Sequence, residues 1–176
     1  LRRKRNLSRL SGTALPQVLL GFIVLLFSFT VHELAHAWVA NRLGDPTGRL
    51  LGRITLNPMA HADLFGTVLL PLIGLLGGGL VVGWAKPVPV NFGNLRNPKR
   101  DMLWVAAAGP GANLVMALFW ALLFKVASLD ILGEFTLPLG LMAAAGIHTN
   151  AIFMALNLLP IPPLDGGRIV VSLLPH

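Results

Sequence analysis

Val18-Leu19-Leu20-Gly21-Phe22-Ile23-Val24-Leu25-Leu26-Phe27-Ser28-Phe29-Thr30-Val31-His32-Glu33-Leu34-Ala35-His36-Ala37-Trp38-Val39-Ala40 is the stretch that decides the fold. It is long enough to cross a hydrocarbon core, which takes about 20 apolar residues. Yet it carries two histidines and a glutamate. On a helix, His32 and His36 lie one turn apart and point the same way. Two imidazoles so placed can share a zinc ion, and Glu33 between them can act as general base on an activated water. Ionisable groups at membrane depth are expensive and count as functional by default. The combination points to hydrolysis inside a bilayer.

Composition agrees with the membrane reading. The 176 residues are 55% hydrophobic and only 12% charged, with a mean hydropathy of +0.72. A soluble domain carries about 25% charged residues. The formal charge is +7, and Arg2, Arg3, Lys4, Arg5 and Arg9 crowd the N-terminus. A basic run beside an apolar helix marks a membrane-surface flank, and no nucleic-acid partner is expected. There is no cysteine, so any metal must be held by His, Asp or Glu. Residues 1–15 read as a basic juxtamembrane segment and 16–176 as one intramembrane domain. Both ends look trimmed, the C-terminal helix beginning at Arg168 being cut short.

Four apolar segments stand out, at about residues 16–40, 64–82, 102–127 and 137–159, each near the ~20 residues a span requires. Pro16 suits a first helical position. The second segment contains Pro71, Gly74 and Gly77-Gly78-Gly79, poor choices for a continuous helix. A re-entrant or broken hairpin over 64–82 would also bring the chain beyond Leu159 out on the same face as the histidines. Ile54, Thr55 and Leu56 favour strand and Asn57-Pro58 a turn, so a short surface β-strand or hairpin is expected there. The fold class is therefore all-α and polytopic, with a hairpin elaboration and this one short strand.

A hydrolytic zinc site usually has three protein ligands. The remaining candidates are His61, His148, His176, Asp45, Asp63, Asp101, Asp130, Glu134 and Asp165. Asp165 stands out by context. It sits in Asn157-Leu158-Leu159-Pro160-Ile161-Pro162-Pro163-Leu164-Asp165-Gly166-Gly167, where prolines and glycines break the helix and can aim the carboxylate back toward the histidines. A turn aspartate before glycine is the plainer alternative.

His32-Glu33-Leu34-Ala35-His36, Ala108-Gly109-Pro110-Gly111-Ala112-Asn113 and Asn157 through Gly167 occur in the order seen in the site-2 protease family of intramembrane zinc metalloproteases. Gly52-Arg53-Ile54-Thr55-Leu56-Asn57-Pro58 and Gly83-Trp84-Ala85-Lys86-Pro87-Val88-Pro89-Val90-Asn91 resemble its minimal bacterial and archaeal branch. The resemblance implies that His32, His36 and Asp165 bind one zinc ion and that Glu33 activates water. It also implies that Asn157 positions substrate or stabilises the oxyanion. A helix-packing amide is the competing account of Asn157, as it is for Asn113 and Asn150. The resemblance further implies a three-helix catalytic core, made of segments one, three and four, with Gly109–Asn113 allowing close approach to the catalytic pair.

The expected activity is hydrolysis of peptide bonds in or near transmembrane helices of membrane-protein substrates, in the cell membrane of a prokaryote. Arg42, Arg49, Arg53, Lys86, Arg96, Lys99, Arg100 and Arg168 fall on the histidine-side face, which the positive-inside rule makes cytoplasmic. The basic N-terminus argues the reverse. Two other classes compete. A metal-ion transporter needs buried His and Asp but gains nothing from Glu33, and it usually shows a repeat symmetry that is absent here. An inactive membrane scaffold needs none of these residues.

Overall fold

The computed structural model describes residues 2–76, 83–129 and 131–175, with side chains from Leu19 onward apart from residues 72, 75 and 76. All regular structure among them is helical. Helices α1 (Arg2–Arg42), α4 (Pro98–Ala127) and α5 (Thr136–Asn157) are long. Helices α2 (Thr47–Leu50), α3 (Leu70–Leu76) and α6 (Asp165–Leu173) are short. Leu19–Arg42, Pro98–Ala127 and Gly133–Asn157 are each long and apolar enough to cross a membrane. α1 begins at Arg2 and not at Pro16, because the Arg and Leu residues upstream are themselves strong helix formers. Pro98 occupies the first turn of α4, and Asp101 accepts the Asn97 N–H at 2.8 Å.

The distribution of polarity is inverted relative to a soluble bundle. Asn113 and Asn150 are fully buried, while Leu118, Phe119, Leu122, Ile152 and Leu156 lie exposed on the same helices. In water, that outer surface would be an uncovered apolar patch. In lipid it is the expected exterior, and buried amides tie helices together. Two apolar clusters enclose the polar centre. Val24, Met116, Trp120 and Ala143 pack on one side, Ala40, Leu95, Met102, Val105 and Ala106 on the other. Gly146 lets α5 approach α4, since a Cβ there would overlap the Trp120 ring.

The expected strand at residues 54–56 does not form; these residues are bends. The segment is held by other contacts. The Thr55 carbonyl accepts from His61 Nε2 at 3.0 Å, Arg53 N–H reaches the Gly48 carbonyl at 2.8 Å, and the Arg53 guanidinium binds the Ala60 carbonyl. With no neighbouring chain to pair with, β propensity is overridden by these contacts.

The second apolar segment begins as a π-type turn at Leu64–Leu69, capped by Asp63, and continues as α3. Residues 77–82 of the expected hairpin lie outside the described residues. The start of the segment is joined to the chain just beyond it: Trp84 N–H donates to the Gly66 carbonyl at 3.1 Å and Thr67 Oγ1 to the Trp84 carbonyl at 2.8 Å. A stretch without regular structure then runs to Asn91 and leads through a 3-10 turn at Phe92–Asn94 to α4.

Candidate metal centre

The histidines of α1 face α4. His36 Nδ1 donates to the Val105 carbonyl at 2.7 Å, and His32 Nδ1 to Asn113 Oδ1 at 2.6 Å. The second contact is the first link of a buried chain. Asn113 Nδ2 donates to Asn150 Oδ1 at 2.8 Å, and Asn150 Nδ2 to Ser28 Oγ at 3.0 Å and to the Gly146 carbonyl at 2.8 Å. With both Nδ1 protons committed, each Nε2 carries a bare lone pair. These two atoms lie 3.0 Å apart. Such a pair repels unless a cation sits between them.

Asp165 comes from the first turn of α6. Gly166 and Gly167 press against the turn after α5: a Cβ on Gly166 would overlap the Leu158 and Leu159 carbonyls, and one on Gly167 would come 2.7 Å from Pro162 N. This packing delivers Asp165 Oδ2 to 3.3 Å from His32 Nε2 and 3.2 Å from His36 Nε2. All three residues are buried. Asp165 Oδ2 has no hydrogen-bond partner.

Three tests favour a metal ion among these residues. The donor atoms lie within 4.8 Å of one another, and their mutual separations approach the roughly 3.3 Å edge of a tetrahedron with zinc–ligand bonds of about 2.0–2.1 Å. A buried carboxylate oxygen with no partner costs free energy that a cation would recover. Finally, a Cβ on Gly109 would overlap His36 Nε2 and the His32 ring. The absent side chain leaves open the space beside these donor atoms. Pro110 next to it lacks an N–H, which loosens the α4 ladder at the same level.

Glu33 is half-buried beside the cluster, and its Oε2 accepts the Val88 N–H at 2.8 Å. The model of peptidase family M50 matches residues 20–141, which contain His32, Glu33, His36 and Asn113. The chain belongs to peptidase family M50. It is 41% identical over 156 residues to a Bacillus subtilis (strain 168) protein named "Putative zinc metalloprotease YwhC", covering 87% of this chain and 68% of that protein. It is also 34% identical over 146 residues to a protein named "Putative zinc metalloprotease Rip2" of Mycolicibacterium smegmatis, covering 80% of this chain and 52% of that one. The Rip2 of Mycobacterium tuberculosis strain Erdman matches at 31% over 155 residues, 86% of this chain and 54% of that one. The M50 chain thus spans about two thirds of YwhC and half of the Rip2 proteins. No solved structure matches it significantly.

Among the described residues, the other sequence candidates in this M50 peptidase do not belong to this group of donor atoms. His148 is exposed and bonds the Ala144 carbonyl of its own helix at 2.8 Å. His61 is buried against Thr55. Asp63 caps the turn after it, and Glu134 is exposed in the loop before α5. Asp45 is buried as a loop hub, taking Thr47 Oγ1 at 2.5 Å, the Asn91 N–H at 2.7 Å and Asn94 Nδ2 at 3.0 Å. Asp130 and His176 lie outside the described residues. Asn157 Nδ2 donates to the Phe153 carbonyl one turn back, at 3.1 Å. Sequence reasoning assigned Asn113 and Asn150 to interhelical packing; they also orient His32. The Val105 carbonyl and the Val88 amide carry no side-chain signature and could not have been found from residue types.

Proposed function

We propose that this M50 peptidase is an intramembrane zinc metalloendopeptidase of the site-2 protease type, cutting peptide bonds in or near transmembrane helices of membrane-protein substrates. The observation that carries the reading is the convergence of His32 Nε2, His36 Nε2 and Asp165 Oδ2 around a space kept open by Gly109, with Glu33 beside it on a membrane-length helix. His32, His36 and Asp165 would hold the ion. When bound, zinc would supply Lewis acidity able to polarise a carbonyl and to lower the pKa of water toward neutral pH.

Glu33 takes the proton from the attacking water and returns it to the leaving amine. Asn157 uses the amide proton not given to Phe153 to bind the developing oxyanion. The apolar exterior of the bundle admits the substrate helix laterally, and that helix must unwind locally to expose a carbonyl. We place the protein in the cell membrane of a prokaryote, with the basic loops on the cytoplasmic side and residues 64–82 entering and leaving from that side.

The test is metal analysis together with cleavage of a single-span model substrate. The wild type should carry one zinc per chain and cleave. Glu33→Gln should keep the zinc and lose cleavage by about 10²–10⁴-fold. Equal cleavage by Glu33→Gln would remove Glu33 from the chemistry. Zinc flux across proteoliposomes in place of cleavage would assign a transporter.

A further inference from the structure

Three alternate N–H groups of the stretch after the second apolar segment donate to other parts of the fold. Trp84 N–H donates to the Gly66 carbonyl at 3.1 Å, Lys86 N–H to the His61 carbonyl at 2.8 Å, and Val88 N–H to Glu33 Oε2 at 2.8 Å. Alternation of this kind is what one edge of an extended chain offers. The first two donors meet main-chain carbonyls. The third meets the carboxylate next to His32.

The sequence leaves little freedom at that third contact. Pro87 and Pro89 flank Val88 and have no N–H, so Val88 is the single main-chain donor within Pro87-Val88-Pro89. The two rings also hold this backbone extended before any contact forms. The Val88 side chain is buried. A Cβ on Gly48 would lie 3.3 Å from Val88 Cγ1 and 3.1 Å from Ala37 Cβ, so Gly48 seats Val88 beside the α1 residue one turn after Glu33. The amide is therefore positioned by packing and ring constraint independently of the carboxylate it meets.

We infer that Val88 is a positioning residue, whose main-chain N–H clamps Glu33 through Oε2 and leaves Oε1 to take the proton from water. The inference rests on the protease reading and on Glu33 as the base. A glutamate has three side-chain torsions, and an unclamped carboxylate samples rotamers in which it cannot reach the water. A charge-assisted hydrogen bond from a preorganised donor selects one. Misplacing a catalytic group by about 1 Å can cost on the order of 10²-fold in rate.

The test uses the full chain loaded with zinc and the single-span substrate. Val88→Pro removes the donor and keeps the backbone extended. Its kcat should fall about 10- to 100-fold, with KM and zinc content held. Val88→Ile, which keeps the donor, should recover most of kcat. In a Glu33→Gln background, Val88→Pro should cause no further loss, because the two act as one unit. An amide-to-ester replacement at Val88 removes the donor alone and should reproduce the Val88→Pro result even where Val88→Pro fails to fold. Wild-type kcat in the zinc-loaded ester variant would overturn the inference, as would an equal loss in the Glu33→Gln background. If wild type and Glu33→Gln cleave alike, the reading of Glu33 as base fails and this inference falls with it. If Glu33→Gln is inactive while the ester variant is not, only the inference fails.

Discussion

His32 is oriented by Asn113, and Asn113 by Asn150, which is anchored in turn on Ser28 and the Gly146 carbonyl. Removing the middle of such a chain strands several buried polar atoms and frees the imidazole to rotate. Asn113→Ala should therefore weaken zinc binding about 10- to 100-fold, the usual effect of losing a partner that orients a ligand. Competition with a chelator of known affinity measures it, and unchanged affinity would mean that His32 is oriented by something else. At this scale the sequence was legible where side-chain identity decides the geometry: the spacing of His32 and His36 and the proline- and glycine-rich setting of Asp165 pointed to three residues that the fold brings together. The Val105 carbonyl, which fixes the tautomer of His36, and the Val88 amide are main-chain atoms. Every residue offers the same carbonyl, and every residue but proline the same amide, so only the crossing of elements selects them.

The short elements between α1 and α4 are organised by one carboxylate. Asp45 joins the end of α1 to the start of α2 through Thr47, and to the stretch before α4 through Asn91 and Asn94. Burial pushes its carboxyl up, but the Thr47 hydroxyl, the Asn94 amide and the main-chain N–H groups of Asn91 and Thr47 outweigh that and lower it below its ordinary value. A carboxyl lowered in the folded state binds protons more weakly there than in the unfolded chain. Its contribution to stability is thus fully present above the ordinary value of about 3.9 and fades as pH falls toward the folded-state value. Thermal midpoints in detergent at about pH 6 and about pH 3.5 should differ more in the wild type than in Asp45→Asn, through this linkage. An equal difference would show that Asp45 does not couple these elements to pH. The same region holds the one element that sequence reasoning misassigned. Ile54-Thr55-Leu56 has strand propensity, but a strand needs a partner, and here His61 Nε2 takes the Thr55 carbonyl instead. Propensity reports what a residue tolerates, and long-range contacts decide what it does.

Across the whole molecule, three long helices were legible from apolar length alone, and their boundaries fell within a few residues of α4 and α5. The course of the chain between them was not legible, since periodicity cannot separate a span from a segment that turns back. The Trp84–Gly66 hydrogen bond joins the chain before and after residues 77–82, and residues 64–82 are proposed to enter and leave on one side. If so, cysteines introduced at the exposed positions Leu51 and Arg96 should react with a membrane-impermeant thiol reagent from one side, and one at Glu134 from the other. The native chain has no cysteine to confuse the result, and labelling of 51 and 96 from opposite sides would establish a true span. The proposed ligand set also has a consequence in time. His32 and His36 enter the membrane on the first helix, whereas Asp165 follows them by roughly 130 residues, or about 7–26 s of synthesis at ~5–20 residues per second. Throughout that interval the nascent helix carries a glutamate and two histidines without their third partner, and α4 with Asn113 arrives before that partner does. Ribosomal order thus arms the enzyme late, after the helices that will confine its chemistry have been laid down.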